Sequence, residues 1–145
     1  MRNVLMTVAV ALLTLAAMVA VAHERQIPYA ELPQKARNII EKYFARDKVI
    51  SIEEDNDWRK EYEVRFSDGA KIDFDGNGDW IKVRSSQGAV PAELVPDTIV
   101  NQTRANYPNA IMVEVERDDR GYEIDLSDDR ELRFDSSGQM VKVDD

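Results

Sequence analysis

Polar and apolar residues alternate with period two through most of the chain after residue 49, in two matching sets. Ile50 and Ile52, then Tyr62, Val64 and Phe66, then Ile72 and Phe74, then Ile81 and Val83 alternate with mostly polar neighbours. The second set is Val113 and Val115; Tyr122, Ile124 and Leu126; Leu132 and Phe134; Val141 and Val143. Successive side chains of a strand point to opposite faces, so each run predicts a strand with one dry face and one wet face. Asp68-Gly69 and Gly76-Asn77-Gly78 predict hairpin turns, because Gly and Asn accept positive φ. Ahead of each set the period becomes helical. Ala36, Ile39, Ile40, Tyr43 and Phe44 share one face behind Pro33, a residue suited to a first turn. Val95, Ile99, Thr103 and Tyr107 give a thinner stripe near Pro96, which Tyr107-Pro108 ends.

The two sets are copies. Tyr62-Glu63-Val64-Arg65-Phe66-Ser67-Asp68 recurs 60 residues later as Tyr122-Glu123-Ile124-Asp125-Leu126-Ser127-Asp128, and Phe74-Asp75 and Gly78 recur as Phe134-Asp135 and Gly138. Upstream the offset is 63: Pro33 matches Pro96, Phe44 matches Tyr107 and Ile52 matches Val115. The three extra residues fall near Asp57 to Lys60, where a turn tolerates them. The expected fold is α+β, two tandem α-ββββ repeats spanning residues 23–86 and 87–145, with residues 85–94 as linker. A lone repeat has a thin core. Joining the sheets edge to edge hides a strand edge, so one eight-stranded antiparallel sheet with both helices on one face is expected.

The N-terminus adds a compartment. Val4 to Val21 carries no charge, follows Arg2, and leads to Ala20-Val21-Ala22, the small-x-small pattern of a signal peptidase site. Residues 1–22 read as a signal peptide cleaved near Ala22-His23, which predicts a periplasmic or secreted bacterial protein with no stable membrane span after cleavage. Without Arg2 the remainder has a net charge of −10. So acidic a chain repels phosphate backbones and excludes a nucleic-acid partner; a protein partner or a cation fits the charge. Oligomeric state is not legible.

Leu32-Pro33, Tyr43-Phe44, Tyr62-Glu63-Val64 and Phe74-Asp75-x-x-Gly78-x-Trp80 resemble the PepSY-like, beta-lactamase-inhibitor-like periplasmic proteins best known from Bacteroidetes. Val95-Pro96, Tyr107-Pro108, Tyr122-Glu123-Ile124 and Phe134-Asp135-x-x-Gly138 resemble their second repeat. The resemblance spans nearly all of residues 28–143. It implies export and the α-plus-four-strand repeat, but no activity, since a fold does not fix a function. Met140 departs from the pattern by standing where copy one has Trp80.

The chain has no cysteine and one histidine, His23. The common nucleophile–base pairs are therefore missing, and the reading is a binding protein rather than an enzyme, with no cofactor. If Ile81 and Val83 face the helix, Trp80 faces the wet side, and Met140 does likewise in copy two. Trp58 lies in the longer first hairpin. These three, ringed by Glu63, Arg65 and Arg133, are the expected protein-binding residues, because exposed aromatic and long apolar side chains lose much water on docking. The function this supports is inhibition or modulation of a periplasmic or secreted enzyme through the open sheet face. A second reading is a small-ligand or calcium protein: Asp73, Asp75, Asn77 and Asp79 mimic the start of an EF-hand loop. Arg84 at the twelfth position, strand flanks, and Arg133 in place of Asp73 in copy two all favour a plain hairpin with no metal. A third reading is a structural accessory subunit of an envelope complex.

Overall fold

The computed structural model describes residues 24–145; the expected signal peptide and His23 lie outside the described residues. The elements run in the order β1 (Glu24–Gln26), α1 (Gln34–Tyr43), β2 (Val49–Asp55), β3 (Glu61–Phe66), β4 (Lys71–Asp75) and β5 (Trp80–Arg84), then α2 (Asp97–Asn106), β6 (Met112–Asp118), β7 (Gly121–Leu126), β8 (Glu131–Asp135) and β9 (Met140–Asp144). The nine strands form one open antiparallel sheet in chain order. Helix plus four strands thus occurs twice, as the alternation predicts, and the sheets are continuous through the β5–β6 ladder.

The ninth strand, β1, has no alternation of its own. It is set by its neighbour: Gln26 lies opposite Glu53, and Ile27 next to it donates its N–H to the Ile52 carbonyl at 3.0 Å while its side chain is buried. β5 meets β6 the same way, with Lys82 opposite Glu116 and Val83 opposite Val115. The segment Glu24–Gln26 therefore covers the first repeat as the last strand of that repeat covers the second.

The core is a cross-strand row. Ile52, Val64, Ile72, Val83, Val115, Ile124, Leu132 and Val143 are successive partners from β2 to β9. All but Val143 are buried, and each contributes about 1.5–3 kcal/mol of burial. The helices lie against this face. α1 buries Ala36 and Ile40; α2 buries Ile99, Val100 and Thr103, the last satisfying its hydroxyl on the Ile99 carbonyl at 2.8 Å. Both helices have ten residues, so the thinner stripe of α2 understates it: Val100 was outside the expected pattern and is buried.

Four bulges shift the expected alternation. Between Val49 and Ser51, and between Met112 and Glu114, one residue has no partner. Ile50, expected inward, is that residue and is 66 % exposed; Val113 is its half-buried counterpart. Two further bulges, at Asp73/Phe74 and Arg133/Phe134, put Trp80 opposite Phe74 and Met140 opposite Phe134. An extra residue reverses the faces beyond it. Trp80 and Val83 therefore share the dry face, and the leftover residues are Ile81 and the exposed Val141.

Candidate functional site

The uncovered face of the sheet is built from charge. One row of cross-strand partners runs Ser51, Arg65, Lys71, Arg84, Glu114, Asp125, Glu131, Asp144. Its three cations belong to the first repeat and its four anions to the second. The next row runs Glu53, Glu63, Asp73, Lys82, Glu116, Glu123, Arg133, Lys142. Its first three members are acidic and its last two basic. Glu24, Asp55, Glu61 and Asp75 form a further acidic row on β1 to β4. The first row thus reverses sign between the repeats, while the second runs from acidic to mixed and ends on two basic positions.

Ion pairs hold this face in place. Lys71 Nζ is 2.9 Å from Glu63 Oε2; Arg133 bonds Glu123 at 2.7 Å and Glu131 at 3.3 Å. At the seam Glu114 takes both Lys82, at 2.9 Å, and Arg84. Burial pushes the Glu114 and Glu63 carboxyls up. The hydrogen bonds and charges of Lys82 and Arg84, and of Lys71 and Arg65, outweigh it and hold both below the usual carboxylate range. Asp73, Asp125 and Glu123 go the other way: burial raises all three, and neighbouring acids add to it. Asp73 Oδ1 is buried without a hydrogen-bond partner.

Of the expected binding residues, Glu63, Arg65 and Arg133 lie on this face. Trp80 and Met140 do not. Trp80 is 4 % exposed and Met140 is half-buried against the core. The Arg117 guanidinium covers the Trp80 ring at 4.0 Å, and its Nε donates to the Trp80 carbonyl at 2.6 Å. Trp58 is 95 % exposed in the β2–β3 connection. Lys71, Arg84, Glu114, Glu131 and Asp144 lie on the same charged face outside the expected set. Comparison of wet positions 60 residues apart would have found most of them, because Arg65, Lys71 and Arg84 become Asp125, Glu131 and Asp144.

The acidic hairpin directs its carboxylates to its own turn and to neighbouring cations. Asp75 Oδ1 accepts the backbone N–H groups of Asn77 at 2.9 Å and Asp79 at 3.0 Å, so it closes its own turn. Asp135 does the same for Ser137 and Gln139. Asp79 pairs with Lys35 at 3.3 Å, and Asp73 sits on the sheet face within 3.9 Å of Lys71. Among the described residues, the acidic trio whose oxygens come within 4.8 Å of one another is Glu123, Asp125 and Glu131, on β7 and β8.

Residues 18–65 and 60–142 match the model of a family described as beta-lactamase-inhibitor-like and PepSY-like. Three solved structures are similar. A protein of Bacteroides vulgatus, provisionally named as periplasmic, is 36 % identical with a TM-score of 0.82, covering 86 % of this chain and 99 % of its own. One from Bacteroides thetaiotaomicron, provisionally named a calcium-regulated periplasmic protein, is 33 % identical with a TM-score of 0.81, covering 84 % and 97 %. A second from Bacteroides vulgatus, provisionally named periplasmic and of unknown function, is 30 % identical with a TM-score of 0.79, covering 84 % and 99 %. No curated protein matches significantly.

Proposed function

This chain belongs to the beta-lactamase-inhibitor-like, PepSY-like family, and from that premise we propose that it is a non-catalytic binding module that docks a protein on its open sheet face. The protein is periplasmic, as its solved relatives are named. Among the described residues, no helix is long and apolar enough to cross a membrane. The observation that supports docking is the reversal of charge between repeats. Dry-face positions keep their chemistry: Ile72 becomes Leu132 and Phe74 becomes Phe134. Three wet positions of one row change sign together, Arg65 to Asp125, Lys71 to Glu131 and Arg84 to Asp144. A wet face requires that these be polar, and ion pairs within it place Arg84 and Lys71 beside acids, but neither need makes all three reverse sign together. A partner with the complementary order of charge reads the sign, because electrostatic complementarity sets register and suppresses wrong partners. The partner class is a periplasmic or secreted enzyme, which the module inhibits or modulates.

Affinity capture from native periplasmic extract tests this, with wild type beside Arg65→Glu/Glu131→Lys. The expected result is a protein retained by the wild type, lost by the variant and released by salt, whose activity changes when the module is added. Retention of the same proteins by both baits would sink the reading.

A cation is the second reading, supported by the converging oxygens of Glu123, Asp125 and Glu131 and by the calcium-regulated name of one solved relative. Arg133 already bonds two of those carboxylates, so calcium would have to displace it. Calorimetric titration with calcium, giving heat that Asp125→Asn abolishes, is the expected result. Absence of heat and of any melting shift removes the reading.

A further inference from the structure

We infer that the outer edge of β9 pairs antiparallel with β9 of a second copy of this chain, about a twofold axis at Val143. β9 is the last strand of the sheet and has no neighbour on its outer side among the described residues. Its counterpart β5 shows what cover does. Val83, opposite Ile72 and covered by Val115 of β6, is fully buried; Val143, opposite Leu132 in the same way, is 39 % exposed.

The hydrogen-bonding phase selects the centre. Across the β5–β6 ladder Ser85 donates its N–H to the Val113 carbonyl at 2.9 Å. Backbone groups alternate sides along a strand, so Val83 also turns its N–H and C=O toward β6, and Val143 turns its own outward. Two copies centred on Val143 exchange two backbone hydrogen bonds between their Val143 residues.

Side chains select the same register. Centring on Val143 sets Lys142 of each copy opposite Asp144 of the other, on the wet face, and sets valine against valine on the dry face. Centring on Lys142 or Asp144 opposes like charges, which destabilises a cross-strand pair. Centring between two residues opposes wet to dry. The opposite edge is β1, only three residues long, and so short an edge strand offers little to pair with, whereas β9 against β9 uses the same strand of both copies. The contact is therefore isologous and closes as a dimer. Two five-residue strands bury less than the roughly 1,200 Å² at the lower end of standard interfaces, so the dimer is concentration-dependent.

Sedimentation equilibrium of the exported protein over a wide concentration series tests this. The wild type is expected to pass from monomer to dimer. Lys142→Asp and Asp144→Lys are each expected to remain monomeric, and Lys142→Asp/Asp144→Lys to dimerise again because complementarity returns with signs exchanged. Val143→Pro removes an outward N–H, which an edge strand tolerates, and trims a dry-face side chain that is already 39 % exposed; it is expected to melt a few degrees below the wild type at most, without dimerising. A monomeric wild type throughout, or a dimer unchanged in Lys142→Asp, overturns the inference. The charge series decides alone if Val143→Pro fails to fold.

Discussion

Lys82 Nζ lies 2.9 Å from Glu114 Oε1 across the ladder that joins the two repeats. The same carboxylate receives Arg84, and Glu114 is buried, whereas Glu116 two residues on is exposed. Glu114→Gln leaves two cations facing a neutral amide in a partly dry site. Loss of a buried hydrogen-bonded charge is expected to cost about 1–3 kcal/mol. At this chain length that lowers Tm by about 3–10 °C. Glu116→Gln, whose carboxylate contacts Lys82 at 3.5 Å from an exposed position, is expected to shift it within about 1 °C. Equal effects of the two changes would contradict the assignment of Glu114 as the fastening of the seam.

The tryptophans separate packing from surface. Trp80 fills the dry face between Phe74 and the Arg117 guanidinium, so Trp80→Ala is expected to cost about 3–5 kcal/mol. Met140, half-buried on the edge-ward repeat, is expected to cost less, about 1–2 kcal/mol. Trp58→Ala is expected to stay within about 0.5 kcal/mol, since 95 % of the side chain is already in water. Urea denaturation of the three variants checks the order. A Trp80→Ala protein as stable as wild type would return Trp80 to the list of binding residues.

The strands and both helices were legible because dry positions repeat with period two or 3.6 and recur in two copies. The bulges were not. A bulge needs only one residue to fall out of register, and Trp80-Ile81 reads as ordinary alternation when Ile81 is taken as the inward member. Its true phase is set by pairing with β4, which no local pattern encodes. β1 was invisible for a related reason: Glu24-Arg25-Gln26 has no β signature, and the open edge of β2 supplies its conformation. The charged face was half legible. Glu63, Arg65 and Arg133 follow from alternation, whereas the order of charges needs strand adjacency, above all the β5–β6 contact between residues 30 or more apart in sequence.

Asp73 links the sheet face to pH. Its folded pKa is raised above the ordinary 3.8, first by burial. A carboxyl with a raised folded pKa contributes stability below its unfolded value and loses it as pH rises through the folded one. At neutral pH ionised Asp73 is thus a cost. Glu63 and Glu114 have lowered folded values, so their contribution is present above the ordinary 4.5 and is lost as pH falls through their folded pKa. Wild-type stability is expected to peak at mildly acidic pH and to fall below about pH 4.5. Asp73→Asn is expected to match or exceed wild type at pH 7, with its advantage vanishing toward about pH 4. Melting curves from pH 3 to 8 check both; a larger advantage in acid than at neutrality would reverse the sign and refute the argument.

Gly78 and Gly138 are the residues on which each helix rests against its hairpin, and the two contacts differ in a testable way. Both have positive φ, +85° and +84°. That conformation alone costs an alanine about 1–3 kcal/mol. A Cβ on Gly78 would sit 2.7 Å from Pro33 Cβ and 3.0 Å from the Ala36 backbone nitrogen. Neither the proline ring nor the helix backbone can step aside without moving the start of α1. A Cβ on Gly138 would meet Thr98 Oγ1 at 2.8 Å and otherwise only Thr98 Cβ and Ile99 Cγ1 at 3.7 and 3.9 Å, and the hydroxyl can rotate away. Both substitutions are expected to destabilise, Gly78→Ala by about 1–2 kcal/mol more than Gly138→Ala. Thr98→Ala in the Gly138→Ala background is expected to recover part of the loss because it removes the Oγ1, and Lys35→Ala in the Gly78→Ala background none, because alanine keeps the Cβ that stands 3.3 Å away and leaves Pro33 and the Ala36 nitrogen in place. Chemical denaturation of the four proteins measures the differences, and equal losses at the two glycines would show that backbone conformation, not the helix contact, fixes these positions.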